Sequence, residues 1–253
     1  MAWLMTANAS AASSSEARQE IKTLMILGNG TARNGPKWQT PGHRPVAAMQ
    51  WLTIGFRGRV ILFGGDDGQS SFGDTWAWDG SNWTQEADTG PPPRTGHGMD
   101  YDTVRDRVVL VDGAGMSTVD VQVQVWVQTS PLGYGYYQTQ TQKQLKVQFL
   151  NDTWEYDGSV WTRVADTGPE PRMGCGLVYN GKTVLLFGGK NNTAFFKNTW
   201  EWDGKHWTQR QDIGPAARAF AAMAYDITRQ RTVLFGGTGP GLFGDTWEQF
   251  FQA

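Results

Sequence analysis

Residues 184–208 read VLLFGGKNNTAFFKNTWEWDGKHWT. An apolar run stops at Gly188-Gly189, the phrase Asn198-Thr199-Trp200 follows, and Asp203-Gly204 separates it from Trp207-Thr208. Short runs rich in β-branched and aromatic residues, bounded by turn residues, are strands rather than helices. Asp-Gly between two such runs is a hairpin turn. Upstream, Gly174 to Tyr179 is a further apolar stretch, ended by the second hairpin signal Asn180-Gly181. Arg172 to Gly214 therefore predicts a meander of four antiparallel strands.

The same text recurs along the chain. The phrase [D/N]-T-W stands at Asp74-Thr75-Trp76, Asp152-Thr153-Trp154, Asn198-Thr199-Trp200 and Asp245-Thr246-Trp247. Before each lies an apolar run closing on a glycine pair or near-pair: Val60 to Gly65, Val108 to Gly113, Val184 to Gly189 and Thr232 to Gly237. Trp83, Trp161 and Trp207 follow the first three phrases, and eleven residues past them stand Arg94, Arg172 and Arg218. Arg44 takes the same place ahead of the first unit. Four-stranded units recurring about every 46 residues are expected to form the blades of one β-propeller rather than separate domains.

The pattern resembles the kelch repeat family, in the form found in the central domain of galactose oxidase. Gly64-Gly65, Gly188-Gly189 and Gly236-Gly237 carry the resemblance, with the aromatic pairs Trp78/Trp83, Tyr156/Trp161 and Trp202/Trp207, over roughly residues 34 to 251. Unit 2 departs from it, with Asp112-Gly113 in place of the diglycine. The resemblance implies a propeller that usually serves as a binding scaffold. Some members are enzymes, galactose oxidase and a sialic acid epimerase among them, so the fold does not decide the function.

The fourth unit stops at its third strand, Trp247 to Phe251, while Asn34 to Gln39 aligns with Asp79 to Thr84. Trp38 is thus expected on the missing fourth strand, joining the two ends of the chain in a closed ring without a free edge. That gives sixteen strands in four blades. Ile21 to Leu27 is left unused, and a fifth blade stays open. Residues 1–20, rich in Ala and Ser, are expected to be a disordered leader, with 21–253 one domain carrying an insertion at 114–150.

Composition narrows the function classes. Charged residues make up 18% with a net charge of −2, which gives no electrostatic footprint for nucleic acid or an anionic membrane. The single Cys175 and only three histidines argue against disulfides and zinc or copper sets, and no cofactor is implied. Asp66-Asp67-Gly68 is a fragment of a calcium loop without the later ligands. The chain contains neither an intact signal peptide nor an apolar stretch of membrane-helix length, so a cytoplasmic location, or secretion after processing, is expected.

The insertion in unit 2 alternates strictly. Val119, Val121, Val123, Val125 and Val127 interleave with polar residues, and Gln138, Gln140, Gln142 and Gln144 do the same beyond a turn at Ser130 to Gly133. This is a long β-hairpin. It is expected to fold back on the body and bury its valines, with a protein-contact or self-assembly arm as the second reading and membrane insertion as the third. Trp126, Tyr134 and Tyr136 are its candidate contact residues.

Other candidates are weighed by whether they follow the repeat. The recurring phrase tryptophans are expected to pack between blades, with the phrase Asp/Asn and Thr satisfying backbone groups at turns and strand ends. Arg94, Arg172 and Arg218 could bind an anion at a channel mouth, or pair with Glu155, Glu201 and Glu248. His97, Asp100 and Asp112 break the repeat. His97 and Asp100 are candidates for acid–base work, although their opposite strand parity separates them. The leading reading is a non-enzymatic scaffold that binds a protein partner, or itself, through the loops 66–73, 114–150, 190–197 and 238–244. The alternative is an enzyme or a lectin with a small ligand or glycan at the channel mouth, served by Arg94, His97 and Asp100.

Overall fold

The computed structural model describes residues 51–56, 58–210 and 214–250. The leader, Ile21 to Leu27, Trp38 and Arg44 lie outside these residues. Every regular element described is a strand. Among the described residues no helix is long and apolar enough to cross a membrane.

Among the described residues seventeen strands form five antiparallel sheets. Sheet 1 is a meander of β1 (Trp51–Phe56), β2 (Arg59–Phe63), β3 (Thr75–Trp78) and β4 (Trp83–Ala87). Sheet 2 runs β5 (Gly98–Asp102), β6 (Arg107–Val111), β9 (Thr153–Tyr156) and β10 (Trp161–Ala165). Between β6 and β9 the chain leaves to make a separate two-stranded sheet, β7 (Ala114–Gln128) and β8 (Gly135–Phe149). Sheet 3 holds β11 (Gly176–Tyr179), β12 (Val184–Phe187), β13 (Thr199–Trp202) and β14 (Trp207–Gln209). Sheet 4 has β15 (Ala222–Asp226), β16 (Arg231–Phe235) and β17 (Thr246–Phe250).

The repeated text has one register. The phrase tryptophan faces a leucine of the second strand in each of sheets 1 to 4: Trp76 faces Leu62, Trp154 Leu110, Trp200 Leu186 and Trp247 Leu234. The second strands are the buried ones, with Val108 to Val111 and Val184 to Leu186 almost without solvent contact. Apolar clusters form between consecutive sheets. Ile61, Phe63 and Ala77 of sheet 1 pack with Met99, Leu110, Tyr156 and Trp161 of sheet 2. Val109 of sheet 2 packs with Tyr179, Val184 and Trp202 of sheet 3. The first strands lie side by side, β1 by β5, β5 by β11 and β11 by β15.

Phrase tryptophans Trp154 and Trp200 pack against clusters shared by two sheets, and a second set of tryptophans adds hydrogen bonds between sheets. Trp161 Nε1 donates to Thr75 Oγ1 of the preceding unit at 2.8 Å, and Trp207 Nε1 donates to Thr153 Oγ1 at 2.8 Å. Phrase tryptophans Trp76, Trp154 and Trp247 donate instead to their own unit's Asp74, Asp152 and Asp245. Thr75 and Thr153 are therefore acceptors for the next unit's indole.

The diglycine has a steric cause. Gly188 sits at φ 68°, and a Cβ there would lie 2.4 Å from the Arg218 carbonyl oxygen. Gly181 shares the left-handed backbone at φ 88°, but nothing lies within 4 Å of its missing Cβ. Gly181→Ala should cost about 1 kcal/mol, from backbone strain alone. Gly188→Ala should cost about 3 kcal/mol or more, because a packed main chain must also shift. Urea unfolding of the two variants checks the difference.

Candidate functional site

The arginine that opens each unit joins two sheets. Arg94 N–H donates to the Phe72 carbonyl, and its own carbonyl accepts from Gly65 N–H of sheet 1. Arg172 does the same with Leu150 and Gly113, and Arg218 with Phe196 and Gly189. Its side chain turns into its own unit. Arg94 Nη1 and Nη2 make a fork with Asp152 at 2.6 and 2.9 Å, and Arg218 makes the same fork with Asp245 at 2.5 and 2.9 Å. Nη1 also donates to the carbonyl at the first diglycine position, Asp112 or Gly236, and Nε to Pro92 or Ala216. Phe196 and Phe243 lie 4.0 Å beneath the guanidinium of Arg172 and Arg218. All three arginines are buried, at 0–1% exposure.

Two expectations change here. The carboxylate partner is the phrase aspartate, not the glutamate of the third strand. Glu155 pairs with Arg105, Glu201 with Arg210, and Glu248 with Arg229 and Arg231. Arg94 and Arg218 spend both faces of their forks on the protein itself, so these guanidiniums hold the sheets instead of facing solvent as an anion site.

Unit 3 breaks this arrangement, and the break explains Asp112. Where the other units have aspartate, Asn198 offers a single acceptor, which takes Arg172 Nη1 at 2.7 Å. Arg172 Nη2 and Trp200 Nε1 are left buried without a hydrogen bond. Asp112 approaches Arg172 from unit 2, with Oδ2 3.8 Å from Nε. It holds this place at φ 58°, a left-handed backbone that glycine occupies in the other units. Burial pushes its carboxyl well above the usual carboxylate range, against the pull of Arg172 and Arg94. Arg94, Asp112, Arg172 and Cys175 thus form one buried group, and burial drives the Cys175 thiol up and out of the reactive range.

His97 and Asp100 are not brought together. The His97 ring meets the edge of Phe63 of sheet 1 at 5.6 Å. It is fully buried, neither nitrogen has a partner, and desolvation lowers its pKa to about 3. Asp100 points the other way. Its two oxygens accept from Tyr101 N–H at 2.8 Å and Tyr179 N–H of sheet 3 at 2.6 Å. Burial raises its pKa to about 6 in spite of those bonds.

The loops after the second strands share one end of the sheets. Asp66 and Asp67 use their side chains to accept from Gly68, Gln69 and Ser70 N–H, closing a tight turn. Ser71 braces the base of the hairpin through Ser71 N–H to Met116 O and Met116 N–H to Ser71 Oγ. Beyond that base the hairpin stands away from the sheets. Its valines are half-buried and their cross-strand glutamines exposed, so it does not fold back as expected. Trp126 packs edge-on to Tyr137 at 5.0 Å and is 46% exposed, and Tyr134 and Tyr136 are exposed as well. Trp126 and Tyr136 lie on opposite faces, because Trp126 pairs with Tyr137 and Val127 with Tyr136.

These features define an all-β protein of antiparallel meanders stitched together by buried arginines, with a projecting two-stranded arm. No family model and no curated protein matches the chain. The solved structure of YjhT is similar in fold, with a TM-score of 0.54 at 12% identity, over 77% of this chain and 60% of that one. The chain thus spans about 60% of the length of that structure.

Asp112 and Asn198 should be coupled. Asp112→Gly alone leaves Arg172 without a carboxylate, and Asn198→Asp alone sets two carboxylates on one guanidinium. The double variant restores the pattern of the other units and should be about 1–3 kcal/mol more stable than the single effects add up to. Additive effects in denaturant unfolding would show no coupling.

Asp100 gives a pH signature. The folded state holds its proton more tightly than the unfolded chain, where an aspartate titrates near about 4. Its contribution to stability is therefore full below that value and is lost as pH rises through about 6. The stability of wild type relative to Asp100→Asn should fall between about pH 4 and about pH 7. A constant difference across that range in urea unfolding would contradict it.

Proposed function

We propose that the four meanders are blades of a kelch-like β-propeller and that the protein is a non-enzymatic binding scaffold. The side-by-side first strands, the shared register of the phrase and the fold-level likeness to YjhT support the propeller. Four blades, with Trp38 completing the last, remain the count that the repeat favours. The working surface is the end of the sheets that carries loops 66–73, 114–150, 190–197 and 238–244. Loops on a rigid frame are where binding concentrates.

The observation that carries the reading is the arm. Two 15-residue strands project from a body braced only at their base, with Trp126, Tyr134, Tyr136 and Tyr137 exposed. Exposed aromatic residues on a projecting element are contact residues rather than core. His97 and Asp100 face away from each other and serve the joints between sheets.

Deleting residues 116–148 tests this. The arm shares no buried core with the sheets, so the shortened protein should keep its far-ultraviolet spectrum and its melting temperature within a few degrees. It should lose the proteins that crosslink to the arm of the full chain, as read by mass spectrometry. An unchanged set of crosslinked proteins would remove the arm from the working surface.

A further inference from the structure

The hairpin has two faces of different character. On one, Gln122 Nε2 donates to Thr141 Oγ1 at 3.0 Å and Gln124 Nε2 to Thr139 Oγ1 at 2.7 Å, beyond an exposed ion pair between Lys143 and Asp120. These polar groups satisfy each other, and Trp126 packs with Tyr137 on the same face. The other face presents a row of Val119, Val121, Val123, Val125 and Val127 on β7, beside a row of Gln144, Gln142, Gln140, Gln138 and Tyr136 on β8. Among the described residues these valines belong to none of the apolar clusters.

We infer that this face docks on the same face of a second copy of the chain, antiparallel, with a two-fold axis through Val123. The inference rests on the scaffold reading and names the arm's partner. Charge comes first. Residues 121–142 contain no charged side chain in a chain that is 18% charged, so the face suits neither an acidic nor a basic partner. Its pattern comes second. An axis in the interface, perpendicular to the strands, lays β7 over β7 and β8 over β8. Valine then meets valine, Gln140 meets its own copy, Gln138 meets Gln142, and Gln144 meets Tyr136.

The valine row is also symmetric about Val123, with two valines on either side at the same spacing. An isologous interface needs that self-complementarity. A hydrocarbon surface would strand the glutamine row without partners, which disfavours a membrane as the occupant.

With the axis at Val123 the overlap runs over residues 118–128 of β7, a face of roughly 36 by 10 Å. Two such faces bury about 700 Å², the size of a weak dimer that forms only at raised concentration. The antiparallel arrangement also places the two bodies at opposite ends of the paired arms, where they do not collide. The register is unbroken from Ala114↔Phe149 to Gln128↔Gly135, so the face has no bulge to prevent flat stacking. A hairpin this long is marginal alone in water and gains from a cover.

Sedimentation of the full chain over a concentration series tests the assignment. Wild type should form a dimer. Val123→Lys, which brings two ammonium groups together on the axis, should weaken it about a hundredfold or more with an unchanged circular dichroism spectrum. Val123→Cys should oxidise to a crosslinked dimer by itself. Val119→Cys should crosslink to Val127→Cys in a mixture and not to itself, and the buried Cys175 gives little background. A monomeric wild type, or a dimer that survives Val123→Lys, would overturn the assignment. The crosslinking comparison with the arm-deleted chain reads the scaffold function separately, since it scores proteins other than this chain.

Discussion

A buried guanidinium fixes how consecutive sheets meet. Removing an arginine from water costs several kcal/mol unless every donor finds an acceptor. Arg94 and Arg218 each place four of their five N–H groups on a carboxylate fork and two main-chain carbonyls. The acceptors come from three separate stretches of one unit, while the arginine's own peptide groups are bonded to the unit before it. Side chain and main chain therefore define two sheets against each other. The Trp161–Thr75 and Trp207–Thr153 bonds repeat the link along the other side of the joint.

The joint between units 2 and 3 also carries unsatisfied groups. Asn198 supplies one acceptor where its counterparts supply two, so Arg172 Nη2 and Trp200 Nε1 go without. Asp112 brings a carboxylate near, at the cost of a left-handed backbone and a desolvated acid. Unit 2 bears the arm and, besides Asp112, two further residues that break the repeat, His97 and Asp100. Both face the joints between sheets. His97 fills space beside Phe63, and Asp100 satisfies a main-chain N–H of sheet 3. Irregularity along the sequence here marks where one sheet must adapt to its neighbour.

The strands were legible because their signals are local. Alternation, diglycine and Asp-Gly turns place β11 to β14 within two residues of where they fall. The alternating valines and glutamines give β7 and β8 with their turn. Partners across space were less legible. Glu155 and Asp152 are both carboxylates near Arg94 in any alignment of the repeat, and only the fork geometry separates them. The substitution of Asn for Asp at 198, together with Asp for Gly at 112, is the one signal in the sequence that tied the phrase to the arginine. The arm misled in the opposite direction. An alternating apolar row implies burial, but it does not say against what.

The sequence by itself determined the strands, their turns, the number of phrase-bearing units and the presence of a long hairpin, because each follows from steric and hydrophobic patterns within about ten residues. Only the tertiary structure decided which carboxylate each arginine takes, which tryptophan crosses to the next sheet, and that the hairpin leaves the body. Those outcomes depend on desolvation, and a group's loss of water is set by neighbours that are distant in the chain.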